Sequence, residues 1–270
     1  MYLTSPNNPK IKQIRALRRR KGRERSDLLL VEGIRPVGEA VEAGASVAYL
    51  CYAPERLTSE YARQLIRAQQ ARGVPVYAVS AEVFQTLADK ENPQGIIAVI
   101  HRPHLTLEDL TADNSPWTVA LVSPQDPGNI GTILRTMDAV GANALLLLDQ
   151  SADPYHPKAV RASMGTLFWH PVVMTTFDQF VRWAQTHGYH IYGTSAHGNT
   201  SYQQVLHYER PAVLLLGSER EGLSVEQAAC CEQLIRLPMC GRATSLNLAV
   251  AAGVMLYAML EKFGICKPNK

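Results

Sequence analysis

The chain has little cysteine, no long apolar run and no nucleotide-binding fingerprint, and each shortage removes a class of protein. Its five cysteines (Cys51, Cys230, Cys231, Cys240 and Cys266) are odd in number and contain no C-x-x-C pair. That argues against a disulfide framework and against zinc, and leaves reduced thiols as the expectation. The adjacent Cys230 and Cys231 read as packing residues of a helix. The longest apolar run, Leu248 to Leu260, is 13 residues, too short to cross a bilayer and of the length of a buried core helix. The opening MYLTSPNNPK has no apolar segment before a small-residue cleavage site, so no secretory signal is visible and a cytoplasmic location is expected. G-x-G-x-x-G occurs nowhere, which disfavours an ordinary dinucleotide site. The eight histidines lack metal-ligand spacing, so neither a metal nor a catalytic histidine is expected.

What is present is the composition of a folded protein. With 270 residues, 46% hydrophobic and 19% charged, the chain is neither disordered nor fibrous and has the length of one large domain or two ordinary ones. Its overall charge of +3 hides an asymmetry, because residues 1–35 carry a net +7 and the remainder a net −4. The core of this basic head, RALRRRKGRER from Arg15 to Arg25, follows Lys10 and Lys12 in a stretch able to form a short helix with one cationic face. Lys10, Lys12, Arg15, Arg18, Arg19, Arg20, Lys21 and Arg23 are therefore candidate contacts to an RNA phosphate backbone, where each neutralised phosphate adds salt-dependent affinity. The same run would also suit a solvated surface helix.

Beyond the head, apolar runs alternate with helical patterns. Strands are expected at Leu28–Val31, Val47–Tyr52, Pro75–Val79 and Gly95–Ile100, with helices at Gly33–Ala43, Ser59–Ala71 and Ala81–Ala88. Residues 101–116 are polar, contain Pro103 and Pro116, and read as a linker. After it come Trp117–Val122, Ala144–Leu148, Tyr189–Thr194, Ala212–Leu216 and Leu234–Leu237. Continuous apolar strands separated by helices imply a parallel sheet covered on both faces.

In such sheets ligands sit beyond the carboxyl ends of the strands, and three segments there carry chemistry. The first, SPQDPGNIG from Ser123 to Gly131, is a tight strand-to-helix turn suited to an anion, with Arg135 one helical turn after Gly131; an ordinary turn with Asn129 as its cap is the alternative. In the second, LLLGSEREGLS from Leu214 to Ser224, a strand opens into a loop bounded by glycines. Glu219 lies in that loop, and Gly217 permits a ligand to approach the backbone; a plain strand-loop-helix connection is the alternative. The third, LPMCGRATSLN from Leu237 to Asn247, sets Ser245 and Asn247 at the start of an all-round apolar helix that must be buried on more than one face. Helix capping would equally account for both residues.

Taken in order, DPGNIG…R…G, LLLGSEREGLS and LPMCGRATSLN resemble the SpoU, or TrmH-like, family of RNA ribose 2′-O-methyltransferases in the SPOUT superfamily, over Trp117 to Gly264. The front unit, with Val31-Glu32-Gly33 opening a helix, resembles the ribosomal-protein-like RNA-binding domain that many members carry. The resemblance implies an α/β fold: a deep trefoil-knotted, parallel-sheet methyltransferase domain preceded by a smaller α/β RNA-binding domain. The layout expected is a basic segment at 1–25, the RNA-binding domain at 26–102, a linker at 103–116 and the methyltransferase domain at 117–270. It further implies S-adenosyl-L-methionine as cofactor, held by Gly217, Leu237, Met239 and Leu246, with Thr194 as a weaker contact. Asn129, Arg135, Glu219, Ser245 and Asn247 match the family's polar active-site residues, and a homodimer is usual.

Two positions depart from the pattern: Val140 stands where an aromatic commonly precedes Gly141, and Thr244 where Glu or Gln is frequent. An arginine with a pKa above about 12 is scarcely neutral near pH 7, so Arg135 is expected to clamp a phosphate and stabilise a developing alkoxide and not to act as the base. Ribosomal RNA is the expected substrate. Transfer RNA, or a non-catalytic ribosome-assembly role, is the alternative.

Overall fold

The computed structural model describes residues 2–88 and 93–264, so Cys266 lies outside the described residues. The chain divides into two compact units, Met1–His104 with Tyr155–Trp169, and Leu105–Pro154 with His170–Lys270. The first contains β1 (Tyr2–Leu3), α1 (Pro9–Leu17), α2 (Arg20–Ser26), β2 (Leu28–Glu32), α3 (Ile34–Glu42), β3 (Val47–Tyr52), α4 (Glu60–Ala71), β4 (Val76–Val79), α5 (Ala81–Leu87) and β5 (Ile96–His101). Its sheet has the order β1-β4-β3-β5-β2. The strands β1, β4 and β3 run parallel, while β5 is antiparallel to β3 and β2.

The basic head is folded into this unit. Asn8 caps α1 by accepting from the Lys10 N–H at 2.9 Å. The spacing of Ile11, Ile14 and Leu17 then puts all three on one face, buried with Leu28, Leu30, Val99 and Phe84. Of the nearby cations Lys12 is left exposed on the opposite side, while Lys10, Arg15 and Arg18 are half-buried at the margins of the stripe. Sequence pattern alone detected the charge and missed this apolar stripe beneath it.

The second unit begins with β6 (Trp117–Val122), α6 (Pro127–Val140) and β7 (Ala144–Leu148). The chain then contributes Tyr155–Trp169, including α7 (Pro157–Ala162), to the first unit, where α7 packs on β2 and buries Ala159 and Val160. It returns as β8 (Val172–Thr175), α8 (Phe177–Thr186), β9 (His190–Thr194), β10 (Thr200–Ser201), β11 (Ala212–Leu216), α9 (Val225–Ala229), β12 (Gln233–Arg236) and α10 (Leu248–Phe263). The seven strands are all parallel, in the order β10-β12-β9-β11-β6-β7-β8. Every residue of β6, β7 and β11 is buried, as strands covered on both faces require. The stretch 105–116 is tied to this unit, since the Trp183 Nε1–H donates to the Leu110 carbonyl at 3.2 Å and the Tyr189 hydroxyl to that of Ser115 at 2.9 Å.

Because β12, β9, β11 and β6 are neighbours, the loops that follow them lie side by side at one edge of the sheet. The last helix, α10, packs on α6 and β11. No helix among the described residues is long and apolar enough to cross a membrane.

Candidate active site

Proline and an aspartate define the first loop. Asp126 caps α6, its Oδ1 accepting from the Gly128 N–H at 2.8 Å, and Pro127 occupies the first turn, where a missing N–H costs nothing. Capping by Asp126 corrects the alternative in which Asn129 held that place. Asn129 lies inside the first turn, 8% exposed, and its carboxamide bonds elsewhere.

It links the other two loops. Asn129 Nδ2 donates to Glu219 Oε1 at 3.2 Å, and Asn129 Oδ1 accepts from Asn247 Nδ2 at 3.1 Å. Asn247 Oδ1 accepts from the N–H groups of Ala249 and Val250 at 2.9 and 3.3 Å, capping α10. Glu219 also receives the backbone N–H of Gln125 on both carboxylate oxygens, at 3.3 and 3.1 Å. One side chain from each segment therefore forms a continuous hydrogen-bonded row, Glu219–Asn129–Asn247. Each amide orientation is fixed by its neighbour, and such rows rigidify the groups they connect.

Beside this row is a cleft of about 350 Å³ at the carboxyl ends of β9, β11 and β12. Thr194, Gly217, Glu219, Leu237, Met239, Ser245 and Leu246 all line it, while Asn129 and Asn247 join it through Glu219. Leu216, Leu223 and Ile235 add apolar wall. From Met239 to Leu246 the third loop is exposed and makes no hydrogen bond to other described residues, so its backbone N–H and C=O groups are available to a ligand. An apolar wall with open main-chain donors and acceptors suits a heterocycle attached to a ribose, which fits the nucleoside part of S-adenosylmethionine.

Arg135 is not brought into this group. Six residues after Asn129 at about 100° per residue, it points about 240° around α6 from it. It is exposed, and its side chain has no hydrogen bond or ion pair with other described residues. The role read for Gly217 also changes. A Cβ there would fall 2.1 Å from the Gly222 carbonyl carbon and 2.4 Å from the Leu223 nitrogen, so glycine is demanded by the loop folding back on itself before any ligand is considered.

Two residues were missed. Gln125 acts through its main-chain N–H, which sequence does not advertise. His197 lines the cleft, three residues past Thr194, and the rule that sites lie beyond strand ends would have found it. Cys230 and Cys231 pack against the second unit's core; the hydrogen bond between their thiols lowers the Cys230 pKa and raises that of Cys231, where burial adds to the rise. The four described cysteines are unbridged. No cluster of three or more His, Cys, Asp and Glu suited to a metal occurs among the described residues.

The eight basic candidates separate by exposure. Lys12, Arg19, Arg20 and Lys21 are exposed, and Lys10 Nζ lies 4.5 Å from the centre of the Tyr49 ring. Arg15 donates to Pro6 O at 3.2 Å and Thr86 Oγ1 at 2.7 Å. Arg18 pairs with Glu32 at 2.9 Å and donates to the Leu87 carbonyl. Arg23 is 2% exposed and holds the α1–α2 junction by donating to Leu17 O at 2.8 Å and Arg18 O at 3.0 Å. That burial corrects its reading as an RNA contact.

Residues 116–257 match the SpoU rRNA Methylase family, and residues 8–98 match the MRM3-like substrate binding domain. A 23S rRNA (uridine(2479)-2′-O)-methyltransferase of Streptomyces viridochromogenes is 34% identical over 90% of this chain and 86% of its own. The 23S rRNA (guanosine(2553)-2′-O)-methyltransferase RlmP of Bacillus subtilis is 32% identical over 94% and 97%. The crystal structure of an AdoMet-bound rRNA methyltransferase from Sinorhizobium meliloti superposes with a TM-score of 0.88 at 35% identity, covering 97% of each chain.

Proposed function

The chain belongs to the SpoU rRNA Methylase family, and from that premise we propose that it methylates one ribose of 23S rRNA, the first unit gripping the RNA and the second transferring the methyl group. Its activity is S-adenosylmethionine-dependent 2′-O-methylation of rRNA, and the seven-stranded unit is the knotted fold of this family. The observation that carries the site assignment is the row Glu219–Asn129–Asn247 joining all three loops beside the cleft.

S-adenosylmethionine supplies a methyl group on a sulfonium, ready for in-line displacement by an oxygen. The chain's own task is positioning, worth up to about 7–11 kcal/mol in the best cases. Main-chain groups of Leu237, Met239 and Leu246, together with Gly217 and Thr194, would hold the donor. Ser245 and the row beginning at Glu219 orient the ribose. Arg135 clamps the adjoining phosphate and stabilises the developing alkoxide, its fork matching two phosphate oxygens, and the 2′-hydroxyl proton leaves to that phosphate or to water.

Because Arg135 stands apart from the cleft, a second copy of the chain is part of this reading. The outer face of α10 leaves Val250, Val254 and Tyr257 exposed, and a groove of about 770 Å³ lined by Tyr202, Val254, Tyr257 and Leu260 runs along it. Apolar surface of this kind suits a homodimer. The exposed cations of α1 and α2 add RNA affinity, and a cytoplasmic location follows from a ribosomal substrate.

The test is to map 2′-O-methyl positions in rRNA from cells with and without the gene. Loss of one 23S position supports the proposal; unchanged rRNA, or a lost tRNA methyl, refutes it. In vitro, Arg135→Lys should lower turnover while leaving S-adenosylmethionine affinity intact, and near-normal turnover would sink the bidentate clamp.

A further inference from the structure

The first unit has a recess built from elements other than its basic helices. About 320 Å³ in volume, it is lined by Tyr52, Pro54, Leu57, Arg63, Ile66, Arg67 and Gln70. Tyr52 is the last residue of β3, so the recess opens at the carboxyl end of the parallel β3–β4 pair. Arg63, Ile66, Arg67 and Gln70 follow the i, i+3, i+4, i+7 spacing of a single face of α4. Buried Leu57 and Ile66 make an apolar floor.

The polar rim is only partly engaged by the rest of the unit. The Tyr52 hydroxyl and the Gln70 carboxamide make no hydrogen bond to other described residues. Arg67 lies 3.9 Å from Glu60 and Arg63 3.6 Å from it, with side chains 72% and 49% exposed; Arg63 also donates to Leu57 O at 3.1 Å. Exposed pairs of this length are weak. One carboxylate against two guanidinium groups leaves net positive charge for an anion.

We propose that this recess takes an unstacked nucleotide of the RNA substrate, its base against Tyr52 and the apolar floor, its edge on Gln70, and its flanking phosphates on Arg63 and Arg67. The proposal rests on the reading of the chain as an rRNA methyltransferase. Flat aromatic surface, an amide and paired guanidinium groups are the chemistry that recognises splayed bases of single-stranded RNA.

The experiment uses the full chain, a fluorescein-labelled transcript of 23S rRNA fragments for anisotropy, and deproteinised 23S rRNA for methyl transfer. Tyr52→Ala should weaken RNA binding about tenfold and raise the KM for RNA while leaving kcat and S-adenosylmethionine affinity unchanged; Tyr52→Phe should restore binding. An Arg63→Gln/Arg67→Gln double variant should reduce the salt slope of binding by about 1.4, two single-strand phosphates at about 0.7 each. Wild-type RNA affinity and KM in both variants would overturn the proposal. So would competition for the recess by free nucleoside monophosphates without any change in RNA affinity, which would make it a small-nucleotide site. If the wild-type chain methylates no rRNA, the enzymatic reading fails, whereas the anisotropy arm still decides the recess.

Discussion

Replacing Gly217 by alanine separates two reasons a loop can need glycine. The added Cβ would sit 2.1 Å from the Gly222 carbonyl carbon, 2.4 Å from the Leu223 nitrogen and 2.5 Å from the Gly222 oxygen. None of these atoms belongs to a flexible side chain. The opposing strand of the loop is also closed by reciprocal bonds, Ser218 N–H to Gly222 O at 3.1 Å and Gly222 N–H to Ser218 O at 3.0 Å. Relief requires the main chain to move by more than about 1 Å, which places the cost at the upper end of overpacking, about 3 kcal/mol. That energy must emerge as lost stability or, if the loop yields and displaces the Gly217 backbone from the cleft wall, as weaker cofactor binding by up to about a hundredfold.

Gly222 is the contrast. Its φ is +70° with nothing within 4 Å of an added Cβ, so Gly222→Ala meets only left-handed strain of about 1–2 kcal/mol. Calorimetry with S-adenosylmethionine and thermal unfolding should give a summed loss clearly larger for Gly217→Ala. An equal or reversed order would refute the reasoning.

Three further outcomes are expected. Asn129→Ala breaks the row between Glu219 and Asn247 and should cut turnover at least a hundredfold while destabilising by about 1–3 kcal/mol; Asn129→Asp, which sets a second carboxylate beside Glu219, should be no better, and a variant with wild-type kcat would remove the row from the mechanism. Arg23→Ala should lower Tm by several degrees through the lost α1–α2 bonds, whereas Lys21→Ala should leave Tm unchanged and weaken RNA binding; equal behaviour in both assays would contradict the burial argument. Burial pushes the pKa of Tyr189 and of Tyr208 up to about 12 from 10. Between those values the unfolded chain releases protons that the folded chain keeps, so stability should fall as pH rises from 10 to 12, by up to about 1.4 kcal/mol per pH unit for each tyrosine. A flat Tm over that range would count against it.

The strands buried on both faces were the most legible elements. Trp117–Val122, Ala144–Leu148 and Ala212–Leu216 begin and end where the apolar runs do, because burial on two faces leaves no charged residue to blur the ends. The edge strands β1, β8 and β10 escaped notice, being two to four residues long. The site loops stood out through their prolines and glycines. What joins them did not, since a bond between residues 118 positions apart, such as Asn129 to Asn247, depends on strand order, and strand order is not written in local pattern. The separation of Arg135 from Asn129 was readable in principle from the helical repeat alone.

The excursion of Tyr155–Trp169 into the first unit bears on how such a protein could be re-engineered or diversify. A chimera fused only at His104–Leu105 would set a foreign β2 against α7, with its buried Ala159 and Val160, and a foreign α3 against residues 166–168, all shaped to the original partner. Swapping the first unit thus demands three matched breakpoints, and recombination that delivers a single one should yield a poorly packed hybrid.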